Sequence, residues 1–285
     1  MTAKLRLIRY LGPFLPVLGF FLVSFFFLSL TRIGFIAWKW DRVTAVHGLW
    51  TVLGFGVRMD TMLLSIAIAL PTLVSLSLPS RDRIHRIWHY IQSMWLTIFA
   101  ALIVFMELAT PPFVRQYGVR PDRRFFEYLD HPHEVFSTIW ADYKGMLILA
   151  IAIVAFTIWA VWSMSQKLGR ASQAWTARQR LLACPLILII LFVGVRSDFF
   201  HRVPNMSTVA FCNDPLVNTL SVSSAYSLGY AIYGLREESH LAHHYGKMPN
   251  DEVIRRIRKG MGLPNSAFTN PNVPHTPPAD TEVQT

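Results

Sequence analysis

The chain is poor in charge. Only 15% of its 285 residues are Asp, Glu, Lys or Arg, against roughly 25% in a typical soluble domain. Its two cysteines, Cys184 in an apolar run and Cys212 in a later loop, make no disulfide framework and read as a packing residue and a lone thiol. There is no G-x-x-x-x-G-K phosphate loop, no G-x-S-x-G turn and no H-E-x-x-H. These absences remove the usual signatures of a nucleotide site, a serine hydrolase and a zinc peptidase. No internal repeat is present either. What the chain has is hydrophobic residues, 53% of the total, with twenty Phe and nine Trp. The net charge of +10 does not point to nucleic acid. Its basic residues fall in short loops between apolar runs, where they report topology and form no polymer-binding face.

Those runs predict an all-α polytopic membrane protein with five transmembrane helices, at 11–31, 61–78, 87–108, 146–164 and 181–195. At about 1.5 Å per residue, the first reaches across a hydrocarbon core of roughly 30 Å. A signal peptide is the rival reading. The run is long for one and no small-x-small cleavage site follows, so it reads as an uncleaved first span. Pro71 and Pro185 lie inside spans, where neighbouring helices can satisfy the freed carbonyls. The basic residues are densest in the N-terminus (Lys4, Arg6, Arg9) and the loops with Arg81, Arg83, Arg86 and Lys167, Arg170, Arg178, Arg180. That bias puts the N-terminus in the cytoplasm and the C-terminal third outside.

Between the first two spans, Val46, Leu49, Trp50, Leu53 and Val57 recur at helical spacing and predict a helix lying in the outer interface. It leads into Arg58 and Asp60. These are either a snorkelling Arg with a helix-start Asp, or a notch in which Arg58 donates to a lipid phosphate. The long polar stretch between spans three and four predicts a structured outer loop over 109–145, since such a sequence cannot sit in hydrocarbon. It mixes Arg115, Arg120, Arg123 and Arg124 with carboxylates and many aromatics. Glu127, Asp130 and Glu134 within it have equally basic neighbours, which suits salt-bridged surface better than an acid–base pair.

After the fifth span, 197–262 predicts an external helical linker. One helix starts at Asp214, as N-cap, with Pro215 in its first turn, and runs to about Arg236. A second begins near Asn250, acidic in its first turn and basic later, with Val253, Ile254, Ile257 and Met261 as its apolar stripe. The tail 263–285 shows no periodicity and reads as disordered. His240, His243 and His244 lack partners at ligand spacing and read as an exposed polar helix end, not a metal site. His89, Gln92 and Ser93 near the inner end of span three, and Glu107 at its outer end, are the spans' few polar groups, thin support for a permease.

The polar stretch F-V-R-Q-Y-G-V-R-P-D-R-R-F-F-E-Y-L-D-H-P-H-E-V, with a Tyr just before the next span, resembles the linker of the lipoteichoic acid synthase family. That family covers membrane phosphoglycerol and phosphoethanolamine transferases with a sulfatase-like external domain. Gly54 to Asp60 resembles its Gly-x-x-x-Asp entry to the second span. Arg202-Val-Pro, with Phe211, Asn213, Asn218 and Tyr226, resembles the segment after its fifth span. The resemblance covers about 10–270 and holds no catalytic motif.

The family's catalytic domain carries a Thr nucleophile and a divalent metal, usually manganese, held by Asp, Glu and His. The sequence through Thr285 does not resemble that continuation. The resemblance therefore implies the membrane-anchoring half of a transferase in a bacterial inner membrane, inactive alone, with no cofactor of its own. The sulfatase-like half is either lost or supplied by another chain. Membrane phospholipids are the expected partners, and Arg58, Asp60, Glu107, Arg115, Arg120 and Arg202 the expected headgroup contacts. A stand-alone accessory lipid-binding protein and a small permease are the alternatives.

Overall fold

In a computed structural model of the chain, residues 11–78, 82–126, 133, 137, 140–141, 144–172, 175–196, 204–242 and 248–262 are described. Among them every regular element is helical. A single 3-10 turn, Gly12–Phe14, leads into α1 (Leu15–Trp38). Pro16 lies in its first turn, where an amide proton would have no intrahelical partner. The short α2 (Trp40–Ala45) follows, then α3 (Leu49–Ser77), α4 (Asp82–Tyr117), α5 (Lys144–Ala171) and α6 (Ala177–Arg196). Beyond these come a 3-10 turn at Met206–Val209 and the helices α7 (Pro215–Leu220), α8 (Ser224–Ala242) and α9 (Asn250–Gly260).

Five of these helices are long and apolar enough to cross a membrane: α1 with its leading turn, α3, α4, α5 and α6. Four run well past the spans read from the sequence, α5 among them, which continues from Met164 to Ala171. The first continues beyond Thr31 to Trp38, because Arg32 finds a buried partner and does not end the apolar segment. The stretch expected as a separate interfacial helix is, from Leu49 on, the opening of α3, continuous through Gly54 and Gly56. α4 carries on through Pro111 and Pro112 to Tyr117, so the outer loop begins about nine residues later than expected. At 36 residues, α4 is about 54 Å long and must project beyond a roughly 30 Å hydrocarbon layer.

α4 packs along α5, α1 against α3 and α5, and α6 against α3. The central core joins four of them through Phe20 and Leu28 of α1, Leu64 of α3, Leu96 and Ile103 of α4, and Val161 of α5. Polar side chains inside the bundle bond between helices. Trp88 and Gln92 donate to Ser75 Oγ, while Ser93 bonds Ser165 and accepts from Gln166. By contrast Ile148, Phe156 and Trp159 of α5 and Leu181, Ile190 and Phe192 of α6 stand exposed. An apolar surface of that extent is stable against lipid tails and not against water.

The described chain divides into two units, one through Tyr233 and one from Gly234. α9 belongs to the second unit. It buries none of its residues, and Glu252 pairs with Arg255 and Arg256 along its surface.

Candidate functional site: a buried charge cluster at one end of the bundle

The C-terminal ends of α1 and α4 and the opening of α3 meet at one end of the bundle, and the segment after α6 folds back over them. Packing there begins with hydrophobic contacts. Phe35 and Ile36 of α1, Val43 of α2, Val52 of α3, Val114 of α4 and Leu216, Val217 and Leu220 of α7 form one buried cluster. A smaller one joins Met59 and Met62 of α3 to Val209 and Val222.

Between these clusters and the central core lie two buried ion pairs. Arg32 Nη1 and Nη2 donate to the two carboxylate oxygens of Asp60, at 2.6 and 2.8 Å. Its Nε donates to the Leu220 carbonyl at 3.1 Å. The fork therefore holds α1, α3 and the end of α7 together in one bidentate contact. Gly56, one turn before Asp60, makes room for it. A Cβ at that position would run into the Arg32 guanidinium.

In the second pair, Arg120 Nη1 donates to both oxygens of Glu107, at 2.8 and 3.0 Å, and to Ser224 Oγ at 2.9 Å. The Ser224 amide donates to Glu107 Oε1 at 2.9 Å. That amide sits in the first turn of α8, where no intrahelical acceptor exists, so a carboxylate satisfies it and complements the helix dipole. Thr110, one turn beyond Glu107, bonds Ser224 Oγ as well. The Arg120 guanidinium lies 4.6 Å from the Phe35 ring centre, and Ser227 Oγ donates to the Pro121 carbonyl at 2.6 Å. The tight left-handed turn at Gly118 (φ 70°), whose amide bonds Val114 O, ends α4 and swings Arg120 back onto it. Each of the four charged side chains is no more than 4% exposed. Removing one member of such a pair leaves a buried charge and costs about 3–5 kcal/mol.

The approach to the cluster is fixed by local chemistry. Asp214 caps α7 by accepting from the amides of Leu216 and Val217. It also takes a bidentate contact from Arg42 of α2, at 2.7 and 2.6 Å. Burial alone would push its carboxyl up. The Arg42 and amide hydrogen bonds outweigh that and hold it below the ordinary carboxylate range. The helix expected from Asp214 to Arg236 is broken at 221–223. Ser223 Oγ accepts from the Tyr226 amide to start α8 afresh, and the break frees the Ser224 amide for Glu107. The Tyr226 hydroxyl donates to the Pro204 carbonyl, and burial, helped by Tyr230, pushes it up to about 12.

Of the six residues expected to contact headgroups, Asp60, Glu107 and Arg120 come together here, buried and hydrogen-bonded within the protein. Arg115 is exposed on α4, 5.7 Å from the Trp38 ring centre, with Lys39 over the same ring. Arg58 is half-buried on α3. Arg202 lies outside the described residues, as do His243 and His244, Glu127, Asp130 and Glu134, and the 263–285 tail. Among the described residues no three His, Cys, Asp or Glu side chains gather to hold a metal ion.

Arg32, Ser224 and the Leu220 carbonyl belong to the cluster without having been singled out from the sequence. Arg32 did leave a signal. It follows the uncharged run directly and, at helical rise, sits roughly 9 Å inside the end of α1, where a charge needs a partner. No family model matches the chain, and no solved structure matches it.

Proposed function

We propose that the chain is the membrane-anchoring part of a lipid-headgroup transferase resembling the lipoteichoic acid synthase and sulfatase-like enzymes. It sits in a bacterial cytoplasmic membrane with its N-terminus inside and the 204–262 region outside. In this reading the bundle fixes a catalytic unit over the outer leaflet, and phospholipid is the partner at the surface.

One observation supports the reading above the others. The three stretches that carry the family resemblance are far apart in sequence and meet at one end of the bundle. Gly56 and Asp60 receive Arg32, Arg120 and Pro121 of the polar stretch bond Glu107 and Ser227, and Asn218 and Tyr226 lie in the segment folded over them. A rigid platform is what a positioned catalytic unit needs, since misplacement by about 1 Å can cost 100-fold in rate. Arg115 and Trp38 offer an exposed cation and aromatic edge beside it, with the half-buried Lys39 over the same ring, suited to a phosphate at the membrane surface.

The test is a comparison of envelope lipids by mass spectrometry in cells with and without the gene. The reading expects loss of a phosphoglycerol- or phosphoethanolamine-bearing species, restored by the wild-type gene and only weakly by Arg115→Ala. An unchanged profile of headgroup-modified species would overturn it.

A further inference from the structure

We propose that α9 is a membrane-surface helix that docks on anionic lipid. Its apolar residues Val253, Ile254 and Ile257, continued by Met261, recur at three- and four-residue spacing and form one stripe. Glu252, Arg255 and Lys259 take the opposite face, while Arg256 flanks the stripe on one side and Arg258, with Asp251 beside it, on the other. A cation at each edge of an apolar stripe can bury its stem in the acyl boundary and keep its head among phosphates.

The charge balance selects the lipid. Four cations stand against Asp251 and Glu252, and Glu252 is already engaged by Arg255 and Arg256. The two salt bridges and the hydrogen bonds they carry draw its carboxyl down to about 2, so it stays ionised and paired at any physiological pH. The helix is net cationic. No residue of α9 is buried, and Ile257 and Met261 are 41% and 42% exposed. Ile257 and Met261 are therefore open to an occupant, beside the half-buried Val253 and Ile254.

Tethering supplies the rest. Ser224, at the head of α8, is fixed to the bundle end by Glu107 and Arg120. From there α8 contributes about 28 Å, and the eight steps from Ala242 to Asn250 add at most about 28 Å. α9 thus stays within about 60 Å of a point anchored at the bilayer, at high effective concentration for the leaflet. A short helix with a narrow stripe, marginal if free, becomes an efficient surface anchor in this setting. This inference stands whether or not the chain serves a transferase.

The experiment uses the full chain in vesicles, with Met261→Cys labelled by an environment-sensitive dye in a Cys184→Ala, Cys212→Ser background. Brominated lipids report contact with the acyl boundary. The expected result is quenching in vesicles containing phosphatidylglycerol, little in pure phosphatidylcholine, and reversal by salt. Arg256→Gln, at the edge of the stripe, should weaken the docked fraction roughly fivefold, and Lys259→Gln, on the far face, less. Both positions are exposed, so the variants still fold, and a label at Ile257→Cys provides a second readout. Equal quenching in both lipids, or none in either, would overturn the proposal. So would a dye shielded from water yet untouched by bromolipid, which would mean a protein occupies the stripe.

Discussion

At the scale of single residues, the decisive fact is where four charges lie. Arg32, Asp60, Glu107 and Arg120 are buried, and each pair is closed by close hydrogen bonds. A buried pair is poor evidence of net stabilisation, since desolvation offsets much of the attraction, but breaking one is expensive. Arg32→Met or Asp60→Leu alone should each destabilise the protein by about 3–5 kcal/mol, and the double variant should recover most of that loss. Thermal unfolding in detergent of the four proteins of this cycle checks it. Additive losses would mean that the two side chains act independently. Gly56→Ala makes a separate demand. Its methyl would enter the space of the guanidinium, so it should destabilise by a few kcal/mol, although alanine is the better helix former by about 1 kcal/mol. Gly54, with nothing near its added Cβ, is the control, and Gly54→Ala should be neutral or stabilising.

At the scale of elements, caps and turns govern where the helices after the fifth span begin. The Asp214 carboxylate joins the cap of α7 to Arg42 of α2. Its folded pKa lies below the ordinary value, so the unfolded chain binds the proton more readily. The stabilisation is then complete above the unfolded value of about 3.9 and is lost as pH falls through the folded one. Acid titration of stability should show this loss below pH about 4, and Asp214→Asn should abolish that part of the profile. Tyr226 acts in the other direction. Its raised pKa means the unfolded chain ionises first, so stability falls as pH rises above about 10 and through about 12. Tyr226→Phe should remove that alkaline limb, followed by unfolding against pH.

Much of this level was legible in the sequence. Asp214 followed by Pro215, and the acidic-to-basic run from Asn250, are local signals and stand where they were read. The helix extents past Thr31, past Leu108 and across Gly54 to Asp60 were not. A charge reads as the end of a span unless its partner is known, and Asp60 stands 28 positions from Arg32, Ser224 117 from Glu107. The break at 221–223 was hidden for the same reason, because its stabilising acceptor is on α4. For the candidate site, residue types at Asp60, Glu107 and Arg120 drew attention as surface contacts. The pairing that buries them is tertiary and had no local trace.

At the scale of the whole molecule, five apolar helices make a multi-pass membrane protein. An odd number of spans would put the two termini on opposite sides, and in the proposed topology, read from the density of Lys and Arg, the N-terminus is the cytoplasmic one. A reporter fused after Gly262 that works only outside the cytosol should be active, and one fused at the N-terminus inactive. The opposite pattern would reverse the topology. Within that frame, α5 and α6 present their apolar sides outward, while the end carrying the charge pairs gathers α1, α3, α4, α7 and the head of α8. The central claim is that the segment after the fifth span is bolted onto the bundle through Glu107. Hydrogen–deuterium exchange of the purified protein tests it most directly, comparing wild type with Glu107→Gln. The amides of 216–227 should exchange markedly faster in the variant, with those around Leu64 and Leu96 unchanged. Unaltered protection over 216–227 would contradict it.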